Sequence, residues 1–413
     1  MPAAPRVGAR RLWALTAAAV FLSLALFARY GRQPDTATLQ ILGHALTSPA
    51  GTDSTFYMQM GEDAFQAPPH SIYGKLFFAD HQKFIYPPSS LFLLELMNAT
   101  RVPGHPGVAL RILLFISWLG VLAAAVLLYR KKVEDAGPLE YACIAILGVL
   151  FLPIAEAFYR GQVQLLLTFF WAIAVLLWMH RKPGAAGFLI ALTCAFKPQL
   201  AVFLLWGLFR RQWRFAVVMS ATLGVIAACS VAYFGLRNNL DYLSVLGYLG
   251  RHGEAFWPNQ SFTGLQNRLL GNGDPMSWRA TVYPPYRPAI YVVGTALSIG
   301  ALFVALLLPR FARWQSTTAD FLFLGCTTVL LSPIAWEQHY AYFYFLIVYL
   351  LARAKSLPAL NWLMLCVCTL AMANRLPPLD HRLHGVTSLA GSYLLYAGLG
   401  LLSLLALEQR RNA

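Results

Sequence analysis

Charge is scarce in this sequence. Aspartate, glutamate, lysine and arginine make up 12% of its 413 residues, and hydrophobic residues make up 58%. A soluble domain carries about 25% charged residues, so a soluble enzyme is excluded. Acids are the scarcer sign, 17 against 32 lysines and arginines. Cysteine is missing from the places where it would do chemistry. Cys143, Cys194, Cys229, Cys326, Cys366 and Cys368 all lie in apolar runs, so neither a disulfide framework nor a Cys metal site is expected. Cys366 and Cys368 are also too close for the CxxC spacing. No internal repeat, no low-complexity run and no Gly-rich phosphate loop is visible.

What is there is a series of apolar runs separated by short polar breaks, the pattern of an all-α polytopic membrane protein. The runs are 12–29, 108–129, 139–156, 162–179, 185–196, 199–209, 215–235, 288–308, 318–333, 338–352, 357–373 and 387–406. They give about twelve crossings, thirteen if 87–98 also crosses. Residues 12–29 follow a basic start and compete with a cleaved signal peptide; the run is long for one, and it is read as a retained first helix. Several runs are shorter than the ~20 residues of a straight crossing. The shortest pair, 185–196 and 199–209, implies a funnel or a thinned region.

The net charge of +15 does not point to nucleic acid. Seventeen of the 32 basic residues sit in alternate breaks, around Arg10, Lys131, Lys182, Arg211, Arg313, Arg353 and Arg410, with only five acids among them. This is the positive-inside pattern. It predicts a multi-pass cell-membrane protein with both termini cytoplasmic. Counting "PPSSLFLLELMN" (87–98) as a crossing would invert every later basic break, so it is read as re-entrant or lying at the outer surface. The whole chain, 1–413, reads as one domain. Two long outer loops, 30–107 and 236–287, mix aromatics, prolines and short helical pieces, as interfacial helices do.

Asp, Glu, His, Gln and Asn collect in the outer breaks, while the cytoplasmic breaks hold little beyond Arg and Lys. A membrane protein with its polar residues on one face has its site there. Six stretches stand on that side in order: "GTDSTFY", "IYPPSS", "RGQVQLLL", "AFKPQLAVFLLWGLFRRQWR", "NQSFTGL" and "SPIAWEQHYAY". In that order and spacing, over residues 50–345, the chain resembles the family 87 glycosyltransferases of the GT-C superfamily. Each stretch is unspecific alone. The resemblance implies a GT-C-like bundle and transfer of a hexose, mannose foremost, from a polyprenyl phosphate carrier. One departure stands out. Where the family often has two adjacent histidines after the tryptophan, this chain reads Trp336-Glu337-Gln338-His339, so a donor-contact role carries over to His339.

Such a transfer needs a base for the acceptor hydroxyl, donors or cations for the leaving phosphate, and a groove for the lipid. Asp53 suits the base, being ionised at neutral pH with an ordinary pKa of about 3.9. It equally suits the N-cap of a helix starting at Ser54. Tyr57, four residues on, shares its helical face. Lys197, set between two apolar runs before Pro198, suits the phosphate; otherwise it snorkels. His339, Arg160 and Gln162 are further candidates for the donor phosphate or sugar. His339 alternatively belongs to the "YAYFYF" aromatic belt, and Arg160 pairs with Glu156. Tyr86, Asn259, Gln260 and Glu337 are candidates for acceptor binding or positioning, with loop capping the plainer role of the two amides. Asn259-Gln260-Ser261 and Asn98-Ala99-Thr100 also match a glycosylation pattern too common to weigh. An Asp-x-Asp pair is absent, Glu62-Asp63 being the nearest, so neither a metal nor a cofactor is expected.

The expected protein is therefore a polyprenyl-phosphate-sugar-dependent hexosyltransferase. It works on the outer face and inverts at the anomeric carbon. Its partners are the lipid-linked donor, a lipid or glycan acceptor and membrane lipids, with no nucleic acid. Two rivals fit the same pattern: a lipid or sugar-lipid transporter without chemistry, against which the missing repeat counts, and a ligase for lipid-linked glycans.

Overall fold

The computed structural model describes residues 6–32, 35–47, 51–66, 72–99, 106–376 and 385–411. It is helical throughout, with a single isolated bridge between Asn259 and Trp336 as the only β pairing among the described residues. In order come α1 (Val7–Tyr30), α2 (Thr38–Thr47), α3 (Thr52–Gln66), α4 (Leu91–Ala99) and α5 (Pro106–Lys132). Then follow α6 (Pro138–Val149), α7 (Leu152–Tyr159), α8 (Gln164–Met179), α9 (Pro183–Cys194), α10 (Val202–Phe209) and α11 (Trp213–Phe234). Next are α12 (Leu236–His252), α13 (Phe262–Leu269), α14 (Pro288–Phe311), α15 (Thr317–Leu331) and α16 (Phe343–Leu351). The chain closes with α17 (Ala359–Ala373), α18 (Ser388–Gly391) and α19 (Tyr393–Arg411).

Proline sets many of the helix starts. Pro138, Pro153, Pro183 and Pro288 stand in the first turn of α6, α7, α9 and α14, where their missing N–H costs nothing and their fixed φ suits the helix. Pro153 also separates α6 from α7, which bend by 55° at the break. That bend carries α7 away from the line of α6.

By length and composition α1, α5, α11 and α14 can each cross a membrane, and the count rises to six if α6–α7 and 385–411 are each one bent span. The other apolar helices run 10–17 residues, so the twelve expected crossings are not all carried by full-length helices. The 87–98 stretch forms a turn at Pro88–Ser90 followed by α4; its apolar part, Pro88–Met97, is too short to span.

The long helices sit at the periphery. Phe21, Val217, Val225, Val292 and Phe303 are all more than half exposed. Apolar stripes of that size are liabilities in water and suit lipid. The centre is different: Phe321 to Leu324 of α15 and Phe343 to Leu351 of α16 are almost wholly buried. There Trp171, Trp178, Phe203, Trp206 and Phe215 surround Phe321, with Trp171 stacked on it at 5.3 Å. A Cβ on Gly325 would stand 1.9 Å from Trp171, so glycine is what lets α8 and α15 meet so closely.

The basic breaks gather at one end. Arg11 donates to the carbonyls of Ala354 and Leu357 at 2.6 and 2.8 Å, and Arg6 pairs with Glu140 at 2.7 Å. The other end holds the described parts of the 30–107 and 236–287 loops. There α3 and α12 bury Tyr57, Met60, Tyr242 and Val245 in a second, smaller core with Tyr73, Phe77 and Phe84.

Candidate active site

At the loop-bearing end lies a cavity of about 380 Å³. Its polar wall includes Asp53, Tyr57, Lys83, Tyr86, Arg160, Gln162, Glu254, Glu337 and Gln338. Leu93 of α4, Leu110 of α5 and Val163 add an apolar side.

Asp53 is held by the backbone as much as by side chains. Helix α3 begins at Thr52, so Asp53 lies within its first turn rather than ahead of it. A carboxylate there is favoured by the helix dipole. Its N–H donates to the Arg160 carbonyl at 3.1 Å, and the Gln162 amide donates to its Oδ2. Two glycines make the approach possible. A Cβ on Gly51 would lie 2.1 Å from the Arg160 carbonyl carbon, and Gly161 has a φ of +68°. The "GTD" and "RGQ" stretches thus meet as one unit.

Tyr86 completes it. Its hydroxyl reaches Gln162 Oε1 at 3.4 Å, and its ring meets Tyr57 edge-on at 5.4 Å. Tyr57 in turn donates to the Ser90 carbonyl at 2.7 Å. Burial pushes both phenols above their ordinary pKa, so both remain protonated. Asp53, Tyr57, Tyr86, Arg160 and Gln162, drawn from distant stretches, therefore share one wall.

Behind that wall runs a chain of four charges. The Arg160 Nε bonds Glu156, Arg375 Nη2 stands 3.3 Å from Glu156, and the same nitrogen donates to Glu337 Oε2 at 2.5 Å. Arg375 Nη1 also holds the Asp35 carbonyl at 2.6 Å. Glu156 raises Arg160, against burial. Burial pushes Glu337 up to about 7, with Arg375 pulling it down and Glu156 pushing it up.

Lys197 and His339 are not part of this wall. They line a separate hollow of about 10 Å³ with Gln164, Gln199, Thr328, Ser332 and Tyr342. The reason is local. Gln162 and Gln164 face opposite sides of one segment, and Gln338 and His339 do the same on another. The two hollows share no lining residue. Burial pulls Lys197 well below its ordinary pKa. Lys197 makes no ion pair among the described residues.

Asn259 and Gln260 lie outside both hollows, fully buried. Asn259 Nδ2 donates to the Glu254 and Pro333 carbonyls, while its Oδ1 accepts from Ala335 N–H at 2.8 Å. Gln260 Nε2 donates to the Trp257 and Gly391 carbonyls, both at 2.8 Å, and its Oε1 accepts from Leu394 N–H. Both amides satisfy backbone groups and fix the loop.

Among the cavity residues not singled out from sequence are Lys83, Glu254, Trp278 and Tyr283. Arg375, behind the wall, was not either. A signal did exist for the cations. Lys83 and Arg375 stand on the side where the basic pattern predicts few positive charges. Among the described residues no group of three or more His, Cys, Asp or Glu converges as a metal site would.

These features define an all-α, polytopic membrane protein with an acid-bearing cavity at one end. Residues 84–333 match the sequence profile of glycosyltransferase family 87, and the chain belongs to that family. It is a glycosyltransferase. No curated protein and no solved structure was found to match it. Tyr86, Arg160, Gln162, Lys197 and Glu254 fall inside the matched segment, while Asp53, Glu337, His339 and Arg375 lie outside it.

Proposed function

We propose that this glycosyltransferase moves a hexose, mannose foremost, from a polyprenyl phosphate to a hydroxyl of a lipid or glycan acceptor on the outer face of the cell membrane. Asp53 takes the acceptor proton as the hydroxyl oxygen attacks the anomeric carbon. The bond from that carbon to the phosphate oxygen breaks, and polyprenyl phosphate leaves. One displacement inverts the anomeric configuration.

The observation that carries this reading is the presentation of Asp53. Its carboxylate is turned into a cavity by the Gln162 amide and by the fit of Gly51 on the Arg160–Gly161 turn. The charge pattern supports a place for the phosphate. Lys83 and Arg160 already face carboxylates, whereas Lys197 faces none among the described residues. A phosphate beside Lys197 and His339 would offset the desolvation that burial imposes on the ammonium. Ser89 Oγ holds the Ala195 carbonyl at 2.8 Å, so the loop before α4 leans on the break that carries Lys197. A groove between the loop helices and the short α9–α10 pair would hold the prenyl tail.

The test is transfer by the purified chain from radiolabelled polyprenyl-phosphate sugars, one sugar at a time, with the product's anomeric configuration read by NMR. No transfer from any of them, or a retained configuration, overturns the reading. Orientation is tested with single cysteines at 134, 250 and 315 in a cysteine-free background. Only position 250 is expected to label from outside. Labelling of 134 from outside reverses the orientation.

A further inference from the structure

The cavity has a second end that the transfer chemistry above leaves unused. Lys83 Nζ and Glu254 Oε2 meet there at 2.5 Å, each side chain 6% exposed. Burying such a pair costs desolvation that its own attraction barely offsets, so stability alone is a weak reason to keep it. Both Glu254 oxygens are engaged: Oε1 accepts from Ala255 N–H at 3.0 Å and Oε2 from Lys83. Lys83 makes its one hydrogen bond among the described residues to Glu254, and its ammonium stands 4.4 Å from the Tyr283 ring centre and 5.2 Å from that of Trp278. The Tyr283 hydroxyl is buried with no hydrogen-bond partner among the described residues. A buried hydroxyl left alone is unfavourable, and here it belongs to a residue that lines the cavity. Trp278 is 39% exposed.

We infer that this end is the acceptor subsite, and that it takes a neutral sugar ring laid on Trp278, with a ring hydroxyl bonded to Tyr283. The inference rests on the reading of Asp53 as the base. Two chain segments join the ends. On α3, Asp53 is followed one turn later by Phe56, which meets Trp278 edge-on at 5.9 Å; that step rises about 4.5 Å along the helix. On the extended segment 83–86, Lys83 and Tyr86 are at most about 10 Å apart. A sugar on Trp278 thus lies in the same cavity as Asp53, a few ångströms along α3 from it. The charge of Lys83 is matched by Glu254, so the subsite as a whole is neutral. An anionic acceptor would have to break the pair.

The test uses the full chain in lipid nanodiscs without donor, and radiolabelled octyl α-mannoside as the probe. The wild type binds it. Trp278→Ala, at a partly exposed position, weakens binding by about 10-fold, and Trp278→Phe restores most of it. Octyl glucuronide, the anionic counterpart, binds about 10-fold more weakly than the mannoside. No binding by the wild type, unchanged binding by Trp278→Ala, or preference for the glucuronide overturns the inference. With donor present, the subsite and the proposed reaction separate. Trp278-dependent binding without transfer from any polyprenyl-phosphate sugar leaves the subsite standing and removes the reaction. Transfer with an acceptor KM untouched by Trp278→Ala does the reverse.

Discussion

Both ends of the bundle bury ion pairs, and the two sets are built differently. At the basic end Arg210 grips Asp320 through Nε at 2.5 Å and Nη2 at 3.2 Å, and Nη2 also donates to the Leu306 carbonyl at 2.9 Å. Charge and partner are turned on each other and tie α14 and α15 to the end of α10. At the loop-bearing end, Lys83, Arg160, Glu254 and Glu337 are also paired, yet each lines a cavity. A buried ion pair is thus a fastening when it is closed on itself, and part of a site when one side is left facing space.

That contrast is sharpest at Asp53. Asp53→Asn keeps the shape, can still accept from Gln162, and cannot take a proton. Transfer is expected to fall by roughly 10²–10⁴, with thermal stability kept. Folded Asp53→Asn protein with near-normal turnover would move the base elsewhere, Glu337 first. Gly51→Ala comes next. Its methyl would strike the Arg160 backbone, so α3 must shift; a displacement of about 1 Å costs on the order of 10² in rate. Full activity in this variant would show that Asp53 needs no such support.

A smaller effect is expected at the second hollow. Lys197→Ala removes a charged hydrogen bond worth about 1.5–3 kcal/mol, which lowers kcat/KM for the donor by roughly 10- to 100-fold and leaves the acceptor KM alone. Lys197→Arg does not restore it, because a planar fork is not a compact ammonium. Unchanged donor dependence would reduce Lys197 to a snorkelling side chain. The smallest effect on transfer is at the basic end. Arg210→Lys loses the two-pronged grip and about 1.5–3 kcal/mol of stability, read as a lower Tm, while the folded fraction turns over normally. A loss of kcat there would break the division between the two ends.

The contrast also explains what could be read from the chain. Apolar runs and basic breaks are local signals, so the helices of the core fall within a few residues of the runs that announce them. Asp53, Tyr57, Tyr86, Arg160 and Gln162 were legible because short stretches carry them in a recognisable order. The partners of the cavity cations were not. Lys83 and Glu254 are 171 residues apart, and no periodicity connects them. The split between Gln162 and Gln164, or Gln338 and His339, is a matter of one or two residues of backbone direction. Composition does not encode that. Asn259 and Gln260 misled for a related reason, since an amide that satisfies buried backbone groups looks in sequence like one offered to a sugar.

Those two amides set a schedule for synthesis. Gln260 is closed by Gly391 and Leu394, 131 and 134 residues later, and Arg268 by Ser392, 124 residues later. Glu337 waits for Arg375, 38 residues on. A chain emerging from the ribosome holds Asp53, Arg160 and Gln162 long before these partners exist. The loop that carries Glu254 gains its last ties when α18 and the start of α19 have been made. The contacts that fix the loop around Gln260 are therefore among the last of this set to be completed.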